Sequence, residues 1–314
     1  ADAEVEYEDH TSNTIYVKFL IKNSTDKDLI DSNIVIWTTT PWTIPGNRAI
    51  AYSKNIKYSL FEINETEENS HLKSKDRIII AHDLEESFKE LCRVKTVTKI
   101  KDIDEVGSLV CCHPFAKSGY SFDIKLYEAD FVTLEQGTGF VHIAPGHGAD
   151  DYILGITNNI EVPETVDQDG FYFDHVPLFK GKKIFNDDGS DADANVAVII
   201  ELKNHNALAG KGSLRHSYPH SWRSKAPVIF RNTPQWFISM EKNDLRKKAL
   251  KAIDDVSWFP KQGKKRIFSM IEERPDWVVS RQRAWGVPLS IFYNKKTGEP
   301  LVDSKLNKKI IDLY

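Results

Sequence analysis

The feature that most constrains this chain is a change of rhythm between its two halves. In the first half, apolar residues come in short runs of strand length. Ile15, Val17, Phe19 and Ile21 alternate with polar neighbours, as a half-buried strand requires. Asn33–Trp37 and Ile78–Ala81 are short continuous apolar runs of the kind buried on both faces, and Thr96–Ile100, Ser108–Cys112 and Gly139–Ile143 are further strand candidates. A helix is expected near Asp83, whose side chain can cap it while Glu86 completes a capping box. Many short strands with few long helices point to a barrel or sandwich and away from a doubly wound sheet.

The second half reads differently. Val196–Leu202 has the pattern of a helix ending near Gly210-Lys211-Gly212, which places a boundary around residue 210. Leu245, Ala249, Ala252 and Ile253 fall on one helical face behind Asp244. Trp222, Trp236, Trp258, Trp277 and Trp285 are all found here, while Asn64–Asn69 and Asp187–Asp193 read as exposed acidic loops. With 40% apolar and 28% charged residues the 314-residue chain has ordinary globular composition. No apolar run approaches membrane-spanning length, and Ala1 followed by Asp2, Glu4, Glu6, Glu8 and Asp9 reads as neither a signal nor a transit peptide; three cysteines cannot form a disulfide framework, so a reducing cytoplasm is expected. The opening Ala1 and the helical pattern at Ile310–Tyr314 suggest a fragment. A net charge of −4 argues against a wholly basic nucleic-acid-binding surface, although Lys180–Lys183 and Lys261–Arg266 are local basic stretches. Taken alone, each reads first as a solvated lysine-rich face.

Two segments crowd hydrogen-bonding residues against glycine and proline. In Trp37-Thr38-Thr39-Thr40-Pro41-Trp42-Thr43-Ile44-Pro45-Gly46-Asn47, three threonines leave a buried run and stop at proline, placing several hydroxyls on a constrained turn. Such hydroxyls can donate to a carbonyl or hold a water, or serve only as strand-forming residues. In Gly137-Thr138-Gly139-Phe140-Val141-His142-Ile143-Ala144-Pro145-Gly146-His147-Gly148-Ala149-Asp150-Asp151-Tyr152, a strand leads to a loop with two histidines and to paired aspartates at a helix start. Glycines there let backbone amides approach a ligand closely. Asp150 reads as a helix cap, and Asp151 as a carboxylate able to face an ammonium group.

The spacing of His142, His147, Asp150 and Asp151 matches no zinc pattern, and no Gly-x-Ser-x-Gly elbow is present. Cys111-Cys112 before His113-Pro114 reads as core packing. No protein nucleophile is evident, so hydrolysis at this site would use a positioned water.

Together the two segments resemble the signatures of the editing (CP1 insertion) domain of isoleucyl-tRNA synthetase, in their order and in a spacing of about a hundred residues. The resemblance continues through His216-Ser217-Tyr218-Pro219-His220-Ser221-Trp222-Arg223, Thr233-Pro234-Gln235-Trp236-Phe237 and Arg274-Pro275-Asp276-Trp277-Val278-Val279-Ser280-Arg281-Gln282-Arg283, and so covers nearly the whole chain. Thr40-Pro41-Trp42 is the isoleucyl form, where valyl and leucyl relatives carry arginine after two threonines, and the match is closer to bacterial or organellar enzymes than to eukaryotic cytosolic ones.

The resemblance implies an α+β fold: a β-barrel-like editing domain with surrounding helices over residues 1–210, followed over 211–314 by a mixed α/β segment returning to the parent catalytic core. It implies that Asp151 binds the α-amino group of the amino acid to be removed, and that Thr39 and Thr40 hold the ester carbonyl or the attacking water. His142 would line the amino-acid pocket and exclude isoleucine, Thr43 and Asn47 would line the site near the terminal adenosine, and Trp42 and Gly139 of the same segments would also contact the substrate. His147 reads evenly as site or scaffold. The implied partners are tRNA(Ile) carrying valine and the rest of the synthetase. The parent would use ATP and Mg, but neither ATP-binding motif of a class I core occurs here, so no cofactor is expected in this chain. The later segments, including Trp236 and Trp277, would leave apolar surface that the parent normally covers. Two competing readings are a nucleic-acid-binding barrel without chemistry and a free-standing editing factor.

Overall fold

The computed structural model describes residues 5–280 and 289–313. Its contacts divide the chain into two compact units, Ala1–Asn232 and Thr233–Tyr314.

The first unit is built on one ten-stranded mixed sheet. Its strands are β1 (Val5–Asn23), β2 (Asn33–Thr38), β3 (Ala49–Tyr52), β4 (Tyr58–Thr66), β5 (Arg77–Ala81), β6 (Val94–Ile103), β7 (Val110–Cys112), β8 (Asp123–Glu128), β9 (Val141–Ile143) and β10 (Leu208–Ser221). The length of β1 lets it serve three neighbours: it pairs with β10 along its first part, with β2 from Ile15↔Thr38 to Leu20↔Asn33, and with β7 at Ile21↔Cys111. From β7 the ladder passes through β8, β3 and β9 and returns to β2 at Trp37↔Val141. These pairings close a ring of β1, β7, β8, β3, β9 and β2, which is a barrel with few free edges. Strands β5, β4 and β6 extend from β2 as a wing.

Alternation in β1 sends Ile15, Val17, Phe19 and Ile21 into the barrel core. The strand is not half-buried, however. Tyr16 on the opposite face is also buried, because the wing and α1 (Glu85–Cys92) cover it with Phe61, Phe88 and Cys92. Helix α1 begins at Glu85, after a 3-10 turn at His82–Leu84, and carries no side-chain cap, so the expected capping box is absent. Helices α2 (Ala149–Thr157) and α3 (Asp193–Asn204) complete the unit. The unit runs past the boundary read near residue 210, since β10 crosses that point in pairing with β1 from Ser221 back to Gly210. Two acidic residues of the amino-terminal run are held in this ladder, Glu6 by Lys225 and Asp9 by Arg215.

The second unit contains a two-residue pairing of β11 (Phe237–Ile238) with β12 (Trp277–Val278), and helices α4 (Leu245–Asp255), α5 (Gln262–Glu272) and α6 (Ser304–Leu313). Arg246 of α4 donates to the carbonyls of Ile271, Glu272 and Arg274, each at 2.7 Å, and so closes the carboxyl end of α5. Among its described residues only Met240 and Ile253 are buried hydrophobics, while Phe237, Phe259, Trp277 and Val302 are exposed. Arg281-Gln282-Arg283 and Trp285, read above as motif residues, lie outside the described residues. No helix among the described residues is long and apolar enough to cross a membrane.

Candidate active site at the threonine turn

Strand β2 ends at Thr38, and the chain turns through Pro41–Gly46 in a 3-10 conformation with Pro41 at its start, where a missing amide costs nothing. The turn is clamped from behind. The Trp42 amide donates to Asn195 Oδ1 of α3 at 3.1 Å, the Tyr172 hydroxyl donates to the Trp42 carbonyl, and His113 Nε2 bonds the Ile44 carbonyl at 3.0 Å. None of these three clamps is signalled by a local motif. They come from residues about 70 to 150 positions away in sequence, so only the folded chain discloses them.

Within the turn the hydroxyls form a chain. Thr43 Oγ1 donates to the Thr40 carbonyl at 2.9 Å and lies 3.3 Å from Thr40 Oγ1, which lies 3.2 Å from Thr38 Oγ1. The chain ends on His142, where the two sequence segments meet. Asn47 Nδ2 faces the Ala49 carbonyl at 2.9 Å, the Ile143 carbonyl at 3.3 Å and His142 Nδ1 at 2.7 Å. Two carbonyls fix the amide orientation, so Nδ2 is the donor and His142 Nδ1 the acceptor. The neutral imidazole therefore carries its proton on Nε2 and donates it to Thr43 Oγ1, 2.9 Å away. Burial pushes the His142 pKa down to about 3, with His147 adding to the effect, so the ring is neutral at physiological pH. Asn47 Oδ1 is buried without a hydrogen-bond partner among the described residues.

His142 lines a cleft of about 450 Å³ together with Trp37, Thr38, Thr39, Phe131 and Phe140. Thr39 also borders a second, small recess, shared with Thr40, Trp42, Asn195, His10 and Tyr218. Gly139 lines the main cleft, yet its φ of +78° and the 2.5 Å that a Cβ would leave to Ala81 Cβ give it a backbone reason to be glycine. Trp42 is buried in the barrel core, with its indole edge-on to His147 at 4.9 Å. His147 itself is engaged at both ring nitrogens: Nδ1 bonds the Phe230 carbonyl at 2.9 Å and Nε2 the Thr165 hydroxyl. Burial lowers its pKa to about 4. Both ring nitrogens are thus engaged by protein groups.

Asp151 stands in the first turn of α2, and its Oδ2 accepts from the Ala144 amide at 2.7 Å, two residues along the chain from His142. It is not among the residues lining the main cleft. Burial raises its pKa to about 6 against the opposing Ala144 hydrogen bond, and no cation pairs with it among the described residues. Asp150 is exposed; the residue preceding α2 is Gly148, and no side chain caps the helix, so Asp150 is not the cap. No group of three or more His, Cys, Asp or Glu side chains among the described residues is placed to hold a metal ion. Cys111 and His113 are core residues, as Cys111-Cys112-His113-Pro114 suggested.

Three buried neutral histidines make the site acid-sensitive. His113, His142 and His147 all have folded pKa values below 6.5, so each contributes stability that is present above 6.5 and lost as pH falls from there towards the folded values of about 3 to 4. The melting temperature of the chain is expected to fall steadily between pH 6.5 and 4, and His147→Gln is expected to flatten that fall. A wild-type melting temperature independent of pH over this range would contradict the burial of neutral rings.

The model of the class I tRNA synthetases (I, L, M and V) matches residues 1–312, and the chain belongs to that family. Within it, the chain is 50% identical over 316 residues to the isoleucine–tRNA ligase of Pelagibacter ubique (strain HTCC1062), covering 100% of this chain and 34% of that protein. It is 46% identical over 329 residues to the isoleucine–tRNA ligase of Caulobacter vibrioides (strain ATCC 19089), covering 99% and 34% respectively. The chain thus spans about a third of the length of these curated relatives. Among solved structures, the crystal structure of GlLeuRS-CP1 is similar with a TM-score of 0.36 and 17% identity over 46% of this chain and 61% of that one. The P. falciparum cytosolic leucyl-tRNA synthetase editing domain gives a TM-score of 0.36 with 12% identity over 47% and 67%.

Proposed function

We propose that this chain is a hydrolytic proofreading module that removes valine from mischarged tRNA(Ile), in the cytoplasm, as part of an isoleucine–tRNA ligase. The observation that carries the reading is the meeting of the two motif segments at His142, with a neutral ring bonded to Thr43 and Asn47 on the wall of a cleft also bordered by Thr38 and Thr39. A water held by threonine hydroxyls in that cleft attacks the ester carbonyl; the C–O bond to the terminal ribose breaks, and the released 2′- or 3′-hydroxyl takes the proton. Asp151, which no cation among the described residues compensates, takes the α-ammonium group of the amino acid. His142 and the surrounding backbone limit the size of the side chain admitted. Such a second sieve is needed because one methylene gives only about 1–3 kcal/mol, a limit for which selection between isoleucine and valine is itself the standard example.

The chemistry uses this chain's own groups, with no cofactor and no ATP-dependent activation in it. The rest of the synthetase covers the apolar residues that the second unit leaves exposed. Single-turnover hydrolysis of valyl-tRNA(Ile) by the chain, compared with Asp151→Asn, tests the proposal; equal rates in both would remove Asp151 from the site.

A further inference from the structure

The consecutive lysines at 180–183 do not supply free charge for phosphate. In Lys180–Lys183 each lysine is matched by a carboxylate: Lys180 by Asp174, Lys182 by Asp193 and Lys183 by Asp187. Unmatched cations gather in a cavity of about 490 Å³ lined by His71, Arg93, Lys203 and Lys211, with no carboxylate among the described residues of its wall. The fold assembles them from four elements. Arg93 follows the carboxyl end of α1, Lys203 lies in the last turn of α3, Lys211 sits on β10, and His71 lies in the loop between β4 and β5. Gly210 permits this convergence: a Cβ there would stand 2.8 Å from Cys92 Sγ and 3.3 Å from Cys92 Cα, so β10 approaches the end of α1 only without a side chain. Ser70 Oγ bonds the Cys92 carbonyl at 2.9 Å and fixes the His71 loop to the same corner. None of Arg93, Lys203 and Lys211 has an ion pair or side-chain hydrogen bond among the described residues. Burial lowers the His71 pKa, and Lys211, Lys203 and Arg93 lower it further in that order, so all three cations act on one imidazole.

This corner is connected to the threonine cleft. A neighbouring apolar groove of about 210 Å³ shares Leu91 and Lys211 with the basic cavity, and Trp37, Glu135 and Gln136 with the cleft. We propose that His71, Arg93, Lys203 and Lys211 form an anchor for the phosphodiester backbone of an RNA strand whose 3′ end runs along this groove into the cleft. The occupant is RNA because the anchor offers converging positive charge with no carboxylate among the described residues of its wall, the groove offers an apolar floor with the half-buried Trp37 for a base, and both lead to the site proposed to hold an aminoacyl ester. The inference rests on the deacylase reading for the identity of the 3′ end, but its test does not require hydrolysis.

The test is binding of an uncharged, fluorescently labelled acceptor-stem hairpin of tRNA(Ile) to the chain, followed by anisotropy against salt for wild type, Lys203→Glu/Lys211→Glu and, as a gentler change, Lys203→Gln/Lys211→Gln. Reversal is expected to weaken binding at least tenfold. Neutralisation is expected to reduce the slope of log affinity against log salt by roughly 1.4 to 1.8, for two phosphates released. Saturating RNA should restore the wild-type hydrolysis rate in the Gln pair, giving a raised KM with an unaltered kcat. Equal affinity and slope in all three proteins, or no hairpin binding by wild type, would overturn the anchor. So would a His71 imidazole resonance that moves with inorganic phosphate alone while RNA affinity ignores both variant pairs, because that marks a free-anion site. Loss of hydrolysis with intact, charge-dependent hairpin binding would overturn the deacylase reading and leave the anchor standing.

Discussion

Asp151→Asn is expected to lower the rate of valyl-tRNA(Ile) hydrolysis by between about thirtyfold and several thousandfold, without lowering the melting temperature at pH 7. The rate estimate follows from removing one partner of a desolvated charge pair, which costs about 2–5 kcal/mol. The stability estimate follows from linkage. Burial raises the Asp151 pKa to about 6, above the 3.8 of the unfolded chain. The stability contributed by this group is therefore full below about 3.8 and lost as pH rises through about 6, so its ionised form opposes folding at pH 7. Asparagine keeps an oxygen for the Ala144 amide and removes the charge. The same pKa sets a pH profile: kcat/KM for the wild type should fall below about pH 6 as the carboxylate takes up its proton. A large drop in melting temperature for Asp151→Asn would instead identify the carboxylate as a structural tether of the loop between β9 and α2.

His142→Ala is expected to have the second largest effect, on discrimination and on stability at once. Removing the ring enlarges the cleft next to Thr38 and Thr39, so isoleucyl-tRNA(Ile) becomes a substrate and the preference for valine falls by about tenfold or more. The ring is also the partner of Thr43 and Asn47, and the asparagine already has one buried oxygen without a partner among the described residues. Leaving more buried polar groups unmatched, together with a new cavity, should cost about 2–4 kcal/mol, read as a shift of the urea midpoint. His142→Gln refills part of the volume and can serve both neighbours, so it should recover most of the stability. Unchanged selectivity in His142→Ala would remove this residue from the sieve.

What the sequence disclosed, and what it did not, follows from the range of the interactions. Strand positions were legible from alternation and apolar runs, and the threonine turn and His142 from the chemistry packed into two short segments. Closure of the barrel was not, since it depends on β1 pairing with β2, β7 and β10 at once, which no local pattern announces. The half-buried reading of β1 failed for the same reason: Tyr16 is covered by residues 45 and more positions away. Lys180–Lys183 stood out because its charges are adjacent, and lost its meaning once Asp174, Asp187 and Asp193 were found beside it. Arg93, Lys203 and Lys211 gave no signal, being brought together only by the close approach at Gly210. His147, even between site and scaffold in the sequence, is tied by both nitrogens to Phe230 and Thr165.

The measurement that bears most directly on the central claim is the deacylation of valyl-tRNA(Ile) and of isoleucyl-tRNA(Ile) by the unaltered chain, followed side by side under single-turnover conditions. A proofreading module removes valine rapidly and leaves the isoleucyl ester close to its spontaneous rate. Hydrolysis of both esters at equal rates, or of neither while the chain still binds the RNA, would contradict it.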